Sequence, residues 1–132
     1  MSSEEGVLLD FPDGLFGFPT MKRLRLFEPP DAYPLKFLQA EGGEECSFIA
    51  LDIAGIKPEY TVPLSPAEAE ALAIERPEDA LVLTLVVIPE DARQMTTNLA
   101  GPLVINAKTR TGRQIALAGE QYPLRHPILG DH

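Results

Sequence analysis

Apolar and polar positions along this chain fall into short runs divided by glycine and proline, the pattern of a β-rich domain with one helix. Residues 7–9 form a first apolar strand, and Pro12-Asp13-Gly14 followed by Gly17 marks a compact turn before a strand over 22–27. Gly14 and Gly17 are expected to supply backbone angles closed to other residues. Pro29-Pro30-Asp31 breaks the chain, segments 35–39 and 47–51 read as strands around a Gly42-Gly43 turn, and 80–88 reads as a buried central strand. Beyond Met95, Val104 and Asn106 point to one side of an extended segment and Leu103 and Ile105 to the other. Turn-formers over 106–112 precede renewed alternation at Arg113, Ile115 and Leu117, which predicts a β-hairpin with a longer loop.

One helix is signalled. Ser65 suits the N-cap, Pro66 the first helical position, and Glu68 can close a capping box on the Ser65 amide. Ala67, Ala71 and Ile74 then share a face, and Pro77 biases Arg76 away from helical angles, leaving a helix of about two to three turns. Its outer side, with Glu68, Glu70 and Glu75, leads into Glu78-Asp79. A solvated helix face and a binding face both account for this acidic region.

With 132 residues and 45% hydrophobic content, one compact domain over residues 1–132 is expected, large enough to bury a core without staples. Proline, which cannot donate to a ladder, suits turns and strand ends, so thirteen prolines reinforce the mainly β reading. The start of the chain lacks the basic region of a secretory signal. The longest apolar run, 80–88, is interrupted by Thr84 and falls short of the roughly 18 residues a membrane span needs. A cytoplasmic protein without a membrane partner is the expectation.

Charge is unevenly distributed. Residues 1–92 hold 18 acidic and 6 basic side chains, net −12, while residues 93–132 hold 2 acidic and 5 basic, net +3, giving −9 overall. That balance repels phosphate, and Tyr122 is the one aromatic in the basic segment, so direct nucleic-acid binding is not expected. The same field steers a basic protein toward the acidic part.

Catalytic chemistry finds little support. The chain has no Gly-x-Ser-x-Gly elbow, phosphate-binding loop, dinucleotide fingerprint or His-Glu-x-x-His. Adjacent carboxylates such as Glu44-Glu45, Glu78-Asp79 and Glu90-Asp91 in turns lack the burial that separates two pKa values. Cys46, beside Glu44 and Glu45, reads as an unreactive thiol at a strand start. Cys46, His126 and His132 have no metal-ligand spacing, and no cofactor is expected. His126, beside Arg125 and Pro127, is the best lone catalytic candidate, with a structural or partner-contact role preferred. Asn98 and Asn106 sit beside apolar residues and are expected to hold turns through backbone hydrogen bonds, with binding as the lesser possibility. Arg113 and Tyr122 are residue types enriched at interfaces and join the partner-contact candidates.

Several of these segments together resemble a known family. Phe11-Pro12-Asp13-Gly14-Leu15-Phe16-Gly17-Phe18, Pro77-Glu78-Asp79-Ala80-Leu81-Val82-Leu83 with Val87-Ile88-Pro89, Asn98-Leu99, Pro102, Val104-Ile105-Asn106, Gly112-Arg113-Gln114 and Tyr122-Pro123-Leu124-Arg125-His126-Pro127 are similar to motifs of the flagellar assembly factor FliW. The resemblance covers about residues 7 to 128. It implies a compact β-barrel-like fold of short antiparallel strands with one short α-helix, and a non-catalytic regulator that binds the small basic RNA-binding protein CsrA. CsrA's repression of the translation of flagellin and other target messages would thereby be relieved. It also implies binding to flagellin, so that the two partners compete in a switch. A flagellin-binding export chaperone without CsrA control is the runner-up, and an enzyme built around His126 a more remote one.

Under this resemblance, CsrA binding is expected to draw on Asp52, Glu59, Glu68, Glu70, Glu78 and Asp79. Asn98, Asn106, Arg113, Tyr122, Arg125 and His126 complete the partner-contact candidates. The family suggests that such a protein binds beside the RNA site and acts indirectly rather than by imitating phosphates. The chain departs from the family pattern where Lys36-Phe37-Leu38-Gln39-Ala40 lacks a tryptophan before Leu-Gln and where Asp52-Ile53 replaces Asp-Pro.

Overall fold

The computed structural model describes residues 6–41 and 46–128; the expected Gly42-Gly43 turn, Glu44, Glu45 and His132 lie outside them. Nine strands form one sheet: β1 (Val7–Asp10), β2 (Arg23–Phe27), β3 (Leu35–Ala40), β4 (Ser47–Asp52), β5 (Ala80–Val87), β6 (Thr96–Thr97), β7 (Leu103–Asn106), β8 (Thr111–Gln114) and β9 (His126–Pro127). Strands β1 to β5 pair in succession, β5 pairs β7, β7 pairs β8, and β8 returns to β1, closing a seven-stranded barrel. The expected hairpin is β7–β8, with Leu103 opposite Gln114 and Asn106 opposite Thr111.

All neighbours around the ring are antiparallel except β1 and β8, which meet in parallel at Asp10 and Thr111. The odd strand number makes this necessary. Six successive reversals leave β8 running in the direction of β1, so the closing pair cannot alternate. Closure removes the open edges that an unpaired sheet would expose.

Alternation along each strand sends one set of side chains inward. Leu9, Leu24, Leu26, Leu38, Ala40, Ala50, Leu83, Leu103 and Ile105 form the interior with Phe11, Leu15 and Met21 from the β1–β2 loop. Gly112 sits against Phe11: a Cβ there would lie 2.7 Å from the Phe11 ring and 2.9 Å from Ile105. The loop itself turns on Gly14, whose φ of +72° and whose contact with the carbonyls of Phe18 and Pro19 both exclude a side chain. Gly17 likewise takes a positive φ, as its place in the turn predicts.

The outward positions of the same strands carry two further apolar clusters. Leu51, Ile53, Leu99 and Ile128 pack together with Leu35, Tyr60, Val82, Val86 and Met95 against them. Leu72, Val104 and Ile115 form the other, flanked by Val62, Leu64, Ile74, Ala80 and Leu117. The short β6 is tied to β5 by buried Thr97, whose hydroxyl lies 2.6 Å from Thr84 Oγ1 and donates to the Leu85 carbonyl at 2.9 Å. A hydroxyl has one proton, so Thr84 must be the donor between the two threonines.

The helix α1 (Pro66–Leu72) begins as the sequence predicts. Glu68 N–H donates to Ser65 Oγ at 3.1 Å and Ser65 N–H donates to Glu68 Oε1 at 2.9 Å. It ends earlier than expected. Ala73 adopts a left-handed conformation, and Ile74 N–H turns back to the Ala69 carbonyl, so the helix stops at Leu72, five positions before Pro77. Ala67 and Ala71 are consequently exposed, and Leu72 is the residue that anchors α1 to the barrel.

Candidate functional site

Between α1 and the barrel lies the principal cleft, of about 650 Å³. Its floor is the outward face of β5 and β7, at Ala80, Val82 and Val104; its walls are Ala69 and Ile74 on the helix side and Tyr60, Val62 and Leu64 on the other. The 60–64 segment explains the gap. Tyr60, Val62 and Leu64 alternate toward the barrel while Thr61 and Pro63 face solvent, yet the segment has no ladder partner that would draw it down onto the sheet. Most of these apolar side chains therefore remain half-buried.

Carboxylates mark the rim. Asp52 at the end of β4 and Glu75 after α1 both line the cleft, with Arg76 as the cation beside them. Arg76 is held by Glu78 at 4.0 Å and Asp79 at 3.6 Å. Asp79 Oδ2 also accepts from the Arg76 N–H at 3.2 Å, which fixes the turn into β5, where Arg76 has the extended backbone expected before Pro77. Glu68 and Glu70 flank the lining residue Ala69 on α1, Glu68 committed to the cap and Glu70 exposed.

A second groove of about 380 Å³ adjoins the first, sharing Tyr60 and Thr61. It collects Glu59, Tyr122 and His126 with Lys57 and Glu120. The Tyr60 and Tyr122 rings meet edge to face at 5.9 Å; Tyr60 Oη donates to the Leu99 carbonyl at 2.7 Å and Tyr122 Oη to the Thr61 carbonyl at 3.2 Å. Burial pushes the Tyr60 phenol well above its ordinary range, and neighbouring Tyr122 adds to the effect. The Glu59 carboxylate is held below its ordinary range by its own backbone N–H and then by Lys57, whose Nζ is 3.0 Å away. His126 lies in β9 opposite Thr97, half-buried, and Arg125 is exposed just before it.

The remaining candidates lie elsewhere. Asn98 Oδ1 accepts from the N–H groups of Ala100 and Gly101, and buried Asn106 accepts from Lys108 and Thr109 while donating to the carbonyls of Leu72 and Ala73. Both amides thus hold backbone, as expected, and Asn106 ties the C-terminal end of α1 to the barrel. Arg113 pairs with Asp13 at 3.1 Å, joining β8 to the β1–β2 loop. Cys46 is partly buried against the barrel interior. Among the described residues no three His, Cys, Asp or Glu side chains gather as a metal site, and no helix is long and apolar enough to cross a membrane.

Comparison with known proteins bears on what this arrangement serves. The family model described as FliW protein matches residues 1–128. The chain belongs to the FliW family. Among similar relatives, the flagellar assembly factor FliW of Natranaerobius thermophilus is 35% identical over 128 residues, covering 96% of this chain and 85% of its own. That of Moorella thermoacetica is 38% identical over 123 residues, covering 92% and 78%. That of Treponema pallidum is 35% identical over 118 residues, covering 89% and 78%. A crystal structure of a flagellar assembly factor FliW superposes with a TM-score of 0.84 at 24% identity, covering 94% of this chain and 86% of that one, which shows the shared barrel. The FliW motifs noted in the sequence fall largely on structural positions, Gly14, Asn98, Asn106 and Gly112 among them.

Sequence reasoning passed over Tyr60, Val62, Leu64 and Val82 as parts of a site. The alternation at 60–64 was the available signal.

Proposed function

We propose that this chain is a non-catalytic regulator of flagellar assembly that works from the cytoplasm by binding and antagonising CsrA, which relieves repression of flagellin translation. It binds flagellin as well, and the two partners exclude one another. Membership of a family whose named members are flagellar assembly factors, across residues 1–128, is the observation that carries this reading. The acidic margin of the main cleft supports it: Asp52 lines the cleft, Glu68 and Glu70 flank the lining residue Ala69, and Glu78 and Asp79 follow the lining residues Arg76 and Pro77, a set that favours a basic partner. Glu59, Tyr122 and His126 line the adjoining second groove, Arg125 precedes His126 in the chain, and these complete the proposed contact set. Differential binding is sufficient for the switch: flagellin occupies the factor and frees CsrA, and export of flagellin reverses this.

The family resemblance favours indirect over competitive antagonism. A preformed CsrA–RNA complex titrated with this protein separates the two modes, because competitive release vanishes at saturating RNA and indirect release persists. Persistent release is the expected result, and no release at any RNA concentration would overturn the regulator reading. Retained flagellin binding would in that case leave a flagellin chaperone without CsrA control as the account.

A further inference from the structure

The main cleft is large for the side chains that border it, and its chemistry narrows what it can hold. A volume of about 650 Å³ falls in the range of built binding sites, roughly 300–1,000 Å³. Small-molecule sites need a few convergent polar groups to orient the ligand. Here the Tyr60 hydroxyl donates to Leu99 and Arg76 is held by Glu78 and Asp79, which leaves the carboxylates Asp52 and Glu75 as the charged groups able to meet an occupant. What remains free to act is an apolar trough with Val62, Leu64 and Val82 half-buried along it, and a rim where the carboxylates Asp52 and Glu75 outnumber the one lining cation, Arg76. Among the described residues neither Asp52 nor Glu75 forms an ion pair.

We infer that this cleft is an anchor site for a basic amphipathic protein segment, which buries one or two large apolar side chains against Val62, Leu64 and Val82 while its lysines or arginines face Asp52 and Glu75. The inference rests on the proposed function in taking the basic partner to be CsrA. Apolar anchors in a desolvated pocket supply affinity, and the net negative charge of the rim supplies approach and orientation. Arg76 is offset by Glu78 and Asp79, so the rim keeps a net negative charge whose field the low-dielectric walls focus on the mouth of the trough.

The test follows the methyl NMR signals of Val62, Leu64 and Val82 during titration with a synthetic peptide carrying leucines at i, i+3, i+4 and i+7 and lysines elsewhere. Saturable shifts at these methyls are expected, and none with a glutamate-for-lysine counterpart. Ala69→Phe, which fills the trough from the exposed helix, is expected to weaken binding at least about tenfold. Glu75→Lys is expected to weaken it about threefold, and Glu90→Lys, beyond the other end of β5, to leave it unchanged. Ala54→Trp, on an exposed rim position outside the helix, repeats the block should Ala69→Phe impair folding. Equal affinity for both peptides, shifts only elsewhere, or full binding by the filled variants would overturn the inference. CsrA is titrated into the same proteins. If it ignores wild type while the lysine peptide fills the cleft, the regulator reading fails and the anchor site stands; if it binds wild type and the filled variants alike, the reverse holds.

Discussion

The two faces of β5 meet different worlds. Inward, Leu83 is fully buried among Leu24, Leu38 and Leu103 in a closed ring of strands; outward, its neighbour Val82 lies half-exposed on the floor of a cleft roofed only by a seven-residue helix and a segment with no ladder. Closure of the barrel gives it an interior core that does not depend on what covers this stretch of its outside. The outer face can therefore be left loosely covered, and a partner can complete it without disturbing the fold.

Leu83→Ala should break that comparison most severely, costing about 2–5 kcal/mol in denaturant unfolding, whereas Val82→Ala should cost roughly a third as much or less. Equal losses would mean that the outer face is as integral as the interior. Gly112→Ala forces a Cβ against Phe11 and Ile105, and about 1–3 kcal/mol of overpacking is expected. Combining it with Phe11→Leu should recover part of that loss, a coupling a double-mutant cycle would detect.

Asn106→Ala should sharpen the contrast from the other side. It strips the Leu72 and Ala73 carbonyls of their donor, so about 1–3 kcal/mol should be lost, with faster hydrogen exchange in α1 than in β1–β4. Ser65→Ala removes only the cap and should cost about 1 kcal/mol, fraying α1 while the barrel melts as before. The smallest effect is in pH. Glu41, Glu59 and Asp91 titrate below their ordinary values because of Arg25 for the first, a backbone N–H and Lys57 for the second, and Arg93 for the third. A depressed folded pKa contributes stability that is present above the unfolded value and lost as pH falls through the folded one. Only a slight decline, beginning below pH 4.5, is expected in a melting series. All three groups lie at the surface, where solvent screens them.

The contrast also marks how far the sequence could be read. Short apolar or alternating runs bounded by glycine and proline mark the strands, so β2 to β5 and the β7–β8 hairpin appear nearly where residues 22–27, 35–39, 47–51, 80–88 and 103–106 predict. The capping box at Ser65 is equally local, and it is found intact. What the pattern could not reveal depends on distant parts meeting. The parallel contact of Asp10 with Thr111 follows from the count of strands in the ring, and Asn106 finds its carbonyls more than thirty residues away. The helix face was misread because Ala73 turns left-handed, which places Ile74 outside the helix and makes Leu72 the anchor. The cleft itself is assembled from Asp52, the 60–64 segment, α1 and two strands, so its acidic residues were legible as a dense region and its apolar floor was not.

Calorimetric titration of this protein into CsrA from the same organism, at low and at moderate salt, tests the central claim most directly. The account predicts saturable binding that weakens with salt and is abolished by prior saturation with flagellin. Absence of binding at both salt concentrations would contradict it.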